Sequence, residues 1–326
     1  MIFLESPSMD PCFNLAMEEY LFNRYRGKRE YFLLWQNKNT IVVGRHQNTA
    51  EEINIDAVQN LDVRVVRRLS GGGAVYHDTG NLNYTFITDC EENEEFDFCR
   101  FAQPVIRTLD HFGIQAEFNG RNDLTIEGKK FCGNSQYAKR GRLLHHGCIM
   151  LDSNLTTVSD VLQAKPAKFV SKSTKSVRSR ITTINSHARN RITMDQFKQA
   201  LIDYVCTQSE IEQGILSEED LSAIRQLQHE KYERWEWNYG TSPAYNVRVE
   251  EKFPMGLVTV CLNVEHGCIQ SIRFYGDFFG SDEIGDLEQK MQGLRLDESL
   301  ESELERLDVG RYIKGITTEQ IFKLIR

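Results

Sequence analysis

The sequence has no long apolar run. Nowhere in its 326 residues does a hydrophobic stretch approach the roughly 20 residues of a membrane-crossing helix, so no membrane association is expected. Its first residues, Met1-Ile2-Phe3-Leu4-Glu5, carry neither a basic lead nor an apolar core, and the expectation is a cytoplasmic protein without a secretory signal. An overall excess of basic charge is also missing. The net charge is −8, of which −5 falls in residues 251–326, and this excludes a general nucleic-acid binder. Eight cysteines are scattered with no Cys-x-x-Cys pair, which reads as reduced thiols rather than a disulfide framework or a zinc site. There is no internal repeat and no low-complexity tract. A length of 326 residues with 40% hydrophobic and 26% charged residues suits one large globular domain and a small one.

The stretch that stands out is Arg67-Arg68-Leu69-Ser70-Gly71-Gly72-Gly73-Ala74-Val75-Tyr76-His77-Asp78. A β-branched strand over 63–66 leads in, and an alternating strand over 82–87 leads out. Three glycines are costly in chain entropy unless the backbone must turn sharply or admit a ligand. Their N–H groups can converge into an anion-binding concavity, with the guanidinium groups of Arg67 and Arg68 at its mouth. The plainer alternative is a glycine-rich hairpin with solvated arginines. No Gly-Lys-Ser/Thr closes the run, so it is not a P-loop, and its spacing is not that of a dinucleotide fingerprint.

A helix is predicted over 10–25, with Pro11 at its start and Phe13, Met17, Tyr20 and Leu21 forming a core stripe; Glu18 and Glu19 read as solvated. Strands follow over 31–35 and 40–43, joined by the polar turn Gln36-Asn37-Lys38-Asn39. Gly44-Arg45-His46-Gln47-Asn48 fits either a site wall or a plain turn. A second helix carries Phe101, Val105, Leu109 and Phe112, with Pro104 near its start and Gly113 as its stop. Gly120-Arg121-Asn122-Asp123-Leu124 is a turn entering a strand, and Glu127-Gly128 turns the chain into a return strand. There Lys130 lies on the face opposite Lys129 and Phe131, so one lysine points inward and needs an anionic partner. His145 and His146 point to opposite faces of a strand and are poor co-ligands for one metal. Residues 165–180 hold six basic residues and no acidic one. They read as a solvated loop, a cover for an anionic ligand or a docking surface for an acidic partner. Helices are predicted over 194–206 and 217–232. The aromatic stretch 235–243 marks a border between residues 1–243 and 244–326, and three strands and three helices follow it.

Three blocks together resemble the lipoate–protein ligase A family. They are the arginine–triglycine stretch with Gly80-Asn81, then Gly120-Arg121-Asn122-Asp123-Leu124, then Lys130 followed after two residues by Gly133-Asn134. Ser176-Val177-Arg178-Ser179-Arg180, the 235–243 border and the C-terminal module are similar too, so the resemblance spans the chain. It implies an α+β catalytic domain, a mixed sheet flanked by helices as in biotin and lipoate ligases, plus a small C-terminal α+β domain. It also implies a cytoplasmic, monomeric enzyme that uses lipoate, and octanoate as an alternative, with ATP and Mg²⁺ and no tightly bound organic cofactor. Lipoyl-AMP forms first; the lipoyl group then passes to a lysine of lipoyl domains, as in 2-oxoacid dehydrogenase E2 subunits and glycine cleavage H protein.

The same resemblance assigns residues. Lys130 is catalytic and contacts both substrates. Arg68, Gly73, Ala74, Val75, Tyr76, Asn122 and Asp123 lie at the nucleotide; Ser70, Gly72 and His146 lie at lipoate; Asp123 is the candidate Mg²⁺ ligand. A carboxylate attacking an α-phosphorus brings two anions together, and Arg68 and Lys130 are the cations that offset this. Cys132 departs from the family pattern. It leaves open a thiol-dependent lipoyl or octanoyl transferase, and a non-catalytic lipoate-binding scaffold is the reading from another class.

Overall fold

The run Tyr31-Phe32-Leu33-Leu34-Trp35 becomes a strand buried at every position, as expected for the middle of a sheet covered on both faces. The computed structural model describes all residues except 25–28, 92–95, 163–179, 241–244, 298 and 326. Its strands, in chain order, begin with β1 (Ile2–Glu5), β2 (Tyr31–Trp35), β3 (Thr40–Val43), β4 (Arg64–Arg67) and β5 (Val75–His77). β6 (Asn81–Asp89), β7 (Glu117–Phe118), β8 (Asp123–Ile126), β9 (Lys129–Lys139) and β10 (Arg142–Met150) follow. Last are β11 (Glu212–Gln213), β12 (Val247–Phe253), β13 (Gly256–Glu265) and β14 (Cys268–Gly276).

A mixed sheet of eight strands has the order β11-β1-β2-β6-β10-β9-β8-β7. β1 runs parallel to β2 and β11, and the remaining pairs are antiparallel. Helices Phe98–His111 and Met194–Gln208 cover one face, where Phe32, Phe86, Phe101, Leu109, Phe197 and Leu201 share a core. Helices Pro11–Arg24 and Glu218–Leu227 cover the other, with Leu15, Met17, Leu33, Trp35 and Ile224. From Val247 on, three antiparallel strands and the helices Ile284–Met291, Ser299–Leu307, Val309–Tyr312 and Thr318–Ile325 enclose a separate core built on Val258, Val260, Phe274, Leu287 and Ile321. The fold is thus the mixed, helix-flanked α+β architecture expected, with a small C-terminal sheet-and-helix region.

Several local expectations change. The glycine stretch is not a hairpin: β4 and β5 both pair with β3, in a three-stranded sheet of order β4-β3-β5. β2 and β3 likewise belong to different sheets, and Asn37 between them is fully buried rather than a surface turn residue. Pro104 lies inside its helix, because Asp97 caps the helix earlier by accepting from the Arg100 N–H. Glu18 is buried, and Glu19 is held by Lys231 at 2.7 Å and by the Tyr232 hydroxyl. Neither is solvated, because this helix packs under the sheet and is buried from Pro11 through Glu18 and again at Leu21 and Phe22.

Candidate active site

The glycine connection between β4 and β5 wraps around Arg68. The guanidinium donates to Ser70 Oγ (3.1 Å) and to the carbonyls of Val42, Gly71 and Gly73 (3.1, 2.6 and 2.8 Å). Gly72 sits at φ +86°, where a side chain would be strained. A Cβ on Gly71 would lie 2.1 Å from the Phe278 carbonyl oxygen, so only glycine lets the C-terminal region come this close. Burial lowers the Arg68 pKa to about 10, which leaves the group charged at neutral pH.

Arg67 goes elsewhere. It is not at the mouth of an anion site. Its guanidinium donates to Thr49 Oγ1 and to the carbonyls of Gly44, Arg45, Gln47, Trp237 and Asn238. Adjacent residues leaving a strand point to opposite sides. Arg67 therefore ties the small sheet to the short helix Trp235–Asn238, whose Trp237 indole donates to the Arg67 carbonyl.

Arg68 faces a cavity of about 550 Å³ including its open mouth, which is within the range of small-molecule sites. Gly72, Gly73, Ala74 and Val75 form one wall, and Lys130, Asn122 and His146 form another. Leu15, Trp35 and Val42 supply apolar surface beside these charges. Three of the singled-out residues do not line the cavity. Ser70 is buried just behind it, with Oγ 2.7 Å from His146 Nε2. Asp123 holds Lys130 Nζ at 2.7 Å. The Tyr76 side chain packs in the small sheet's core and donates to Asn39 Oδ1, because alternation along β5 sends Val75 and His77 to the cavity and Tyr76 away from it.

Lys130 owes its place to a β-bulge. Lys130 pairs with Thr125 and Cys132 with Leu124, so Phe131 is an extra residue in β9. Phe131 and Cys132 both enter the core, while Lys130, Gly133 and Ser135 face the cavity. Burial works against the Lys130 charge, but the charge and hydrogen bond of Asp123 outweigh it and hold the pKa above its ordinary value. The Lys130 backbone bonds to a third segment: its N–H donates to the Arg180 carbonyl and its carbonyl accepts from Thr182 N–H, both at 2.8 Å. The basic stretch 165–180 otherwise lies outside the described residues.

Cys132 is sealed in the core, and burial pushes its thiol pKa well up. Cys148 does reach the cavity. Burial raises its pKa to about 12, and the Asn81 amide donates to its sulfur. Neither is a ready thiolate at neutral pH. Among the described residues no three His, Cys, Asp or Glu side chains form a metal-binding group. His145 and His146 do point to opposite faces. His145 stacks on Phe101 in the core, and His146 turns toward the cavity with Nδ1 3.1 Å from Glu18 Oε1.

Residues 10–206 match the family described as the lipoyl protein ligase A/B catalytic domain, and residues 242–325 match the bacterial lipoate protein ligase C-terminus. The chain belongs to the lipoate–protein ligase family. Lipoate–protein ligase 1 of Staphylococcus aureus is 39% identical over 97% of each chain. A P. falciparum protein solved in complex with lipoate is 22% identical and superposes with a TM-score of 0.80 over 100% of this chain and 98% of its own, which supports the fold. A bi-partite lipoate protein ligase from Thermoplasma acidophilum, studied with its E2 lipoyl domain, is 26% identical with a TM-score of 0.63 over 76% of this chain and 98% of that one. Among the described residues no helix is long and apolar enough to cross a membrane.

The resemblance assigns no role to Glu18, to Ser135 or to His77, although His77 stands within its first block. Ser135 Oγ donates to the Gly71 carbonyl at 2.8 Å and fixes the glycine loop to β9. Glu18 closes a chain in which Arg68 Nε donates to Ser70, Ser70 to His146 and His146 Nδ1 to Glu18. A charge buried within a helix needs a partner, and Glu18 finds His146 and Thr85.

Proposed function

We propose that this chain is a lipoate–protein ligase that activates lipoate with MgATP and passes the lipoyl group to a lysine of a lipoyl domain. The observation that carries the reading is the joint placement of Arg68 and Lys130 on a cavity with apolar surface beside them, in a chain whose residues 10–206 and 242–325 match the family. The apolar surface of Leu15, Trp35 and Val42 receives the acyl chain. The lipoate carboxylate attacks the α-phosphorus of ATP, the bond to pyrophosphate breaks, and lipoyl-AMP forms. Arg68 and Lys130 offset the charge that builds between the two anions. Gly73, Ala74 and Val75 lie along the nucleotide, with Tyr76 contributing through its backbone, and Asn122 lies near the phosphates. Gly72, Ser70 and His146 belong to the lipoate side. The acceptor lysine's neutral amine then attacks the acyl carbon, an amide forms and AMP leaves, so no enzyme nucleophile is required.

One carboxylate, Asp123, stands beside Lys130. That fits an ion carried mainly by phosphate oxygens and water rather than a protein cage, and Asp123 would supply one oxygen to the Mg²⁺ that arrives with ATP. Residues 1–243 form the catalytic domain of a cytoplasmic monomer and 244–326 an accessory domain. The test is the intact mass of an apo lipoyl domain after incubation with the protein, lipoate and MgATP. A lipoyl-sized gain that requires ATP is expected. A gain without ATP would replace this reading with acyl transfer from another donor. No gain and no release of pyrophosphate would favour a binding scaffold.

A further inference from the structure

His77 is the last residue of β5, 2% exposed, and its ring lies on the cavity wall two residues beyond Val75. Its proton can be placed by following hydrogen bonds inward from the backbone. Asn14 Nδ2 lies 3.1 Å from the Ser8 carbonyl and 2.8 Å from the Gln36 carbonyl. Carbonyls only accept, so that atom is the amide nitrogen of Asn14. Its two N–H bonds are shared among these carbonyls and a third oxygen, Asn37 Oδ1 at 2.9 Å; an amide nitrogen there would face only another donor, so the Asn37 nitrogen turns toward His77 Nδ1 at 3.1 Å. An amide nitrogen only donates. His77 Nδ1 must therefore accept, and the neutral ring carries its proton on Nε2. Burial, aided by the nearby Arg68 and His146, lowers the His77 pKa to about 3 and keeps the ring neutral.

This Nε2–H has no partner. A buried donor left unpaired is costly and uncommon. The charged side chains and the other histidine of the wall are engaged. His146 uses both ring nitrogens, Arg68 holds three carbonyls and Ser70, and Lys130 holds Asp123. Among the described residues that line this cavity, His77 alone carries a buried polar side-chain atom, Nε2, without a hydrogen bond.

We propose that His77, locked as the Nε2–H tautomer by Asn37 and Asn14, donates a hydrogen bond to an anionic oxygen of the bound ligand. The chemistry is that of a carboxylate or a phosphate oxygen, which a fixed neutral donor binds without adding a third cation beside Arg68 and Lys130. The identity of the ligands rests on the ligase reading; the tautomer and the free donor do not.

The test uses the full chain with ¹⁵N-labelled histidine and long-range ¹H–¹⁵N NMR, with the His77 signals assigned by their loss in His77→Gln. The expected result in the free protein is a protonated Nε2 and a bare Nδ1. On saturation with octanoate, or with MgATP, the Nε2 proton should shift downfield, and the ligand that moves it identifies the oxygen. An Nδ1–H tautomer would overturn the proposal. So would an unmoved Nε2 proton at saturation with both ligands, or a shift with lipoate alone, which would point to sulfur. Calorimetric binding gives a second readout. His77→Leu should weaken the ligand that moves the proton by about tenfold, and His77→Gln, which keeps an N–H, by no more than about threefold. Equal losses in both variants would make His77 a packing residue and overturn the proposal. If wild-type protein fails to modify a lipoyl domain while His77 behaves as described, the functional reading falls and this assignment stands.

Discussion

Truncating Glu18 should separate a buried structural charge from a solvated one. Glu18 is 2% exposed and accepts from two side chains, His146 Nδ1–H at 3.1 Å and the Thr85 hydroxyl, which itself accepts from the Trp35 indole at 2.9 Å. Glu18→Ala leaves both donors in a site that excludes water. Each unpaired buried donor costs about 1–3 kcal/mol, so the loss should be about 4 kcal/mol. Glu18→Gln keeps one acceptor oxygen for His146 and loses only the charge assistance, about 1–2 kcal/mol. The assay is urea unfolding of the full chain at neutral pH, followed by tryptophan fluorescence, because Trp35 sits on this chain of bonds.

The same substitution has a functional signature. His146 orients Ser70, and Ser70 receives Arg68 Nε. Releasing His146 loosens the hydroxyl that holds one edge of the Arg68 guanidinium, so lipoate affinity should fall about tenfold in Glu18→Ala and much less in Glu18→Gln. If Glu18→Ala unfolds within about 0.5 kcal/mol of the unsubstituted protein, the buried pairing is wrong. If the glutamine variant is as damaged as the alanine one, the charge rather than the acceptor geometry governs the site.

Lys130→Ala should keep the fold and slow lipoate-dependent pyrophosphate release at least about a hundredfold, the scale for losing one preorganised charge stabiliser; an unchanged rate in folded protein rejects that role. Cys132→Ala should retain adenylate formation and transfer, and its loss of both would return the thiol reading to the front. Arg67→Met should lower the unfolding midpoint far more than it changes lipoate affinity per folded molecule, since Arg67 feeds five carbonyls and a hydroxyl; a pure affinity loss at full stability would contradict this. Glu283 anchors the C-terminal region to Arg45 (2.8 Å) and Lys139 (3.1 Å). Burial opposes its charge, but Arg45 and Lys139 prevail and hold its carboxyl down to about 2. Because the folded pKa lies below the ordinary 4.5, this contribution is complete above about pH 4.5 and is lost as pH falls toward 2. Proteolytic sensitivity of the C-terminal region should therefore be flat from pH 8 to 5, and a transition near pH 6 would refute the assignment.

Strand positions were readable because burial follows apolar runs. β2 starts and ends where its unbroken apolar run does, and β3 where its β-branched run does. The 127–128 turn was readable for the same kind of local reason: Glu127 and Gly128 both take positive φ, the requirement of a tight two-residue hairpin. Partnership between distant segments was not readable. Nothing local says that β4 and β5 flank β3, or that Glu18 meets a histidine 128 residues later. The division of labour between Arg67 and Arg68 was half-readable, since alternation says they diverge but not which one meets the carbonyls.

The extra residue in β9 decides the most. Strict alternation would put Lys130, Cys132 and Asn134 on one face, and a lysine beside a thiol on a cavity wall is the arrangement a thiol acyltransferase would use. The bulge at Phe131 breaks that pairing. It leaves Lys130 on the cavity wall, held from behind by Asp123, and moves Cys132 into the core, where its pKa rises. It also opens the Lys130 backbone to the 180–182 segment, so the lysine is fixed from both sides. The thiol that does face the cavity, Cys148, titrates near 12. Among the described residues neither thiol near the acyl site is a ready thiolate, which favours an electrophile activated by another route. An anhydride with phosphate, neutralised by Arg68 and Lys130, is the route this wall of side chains is arranged to support.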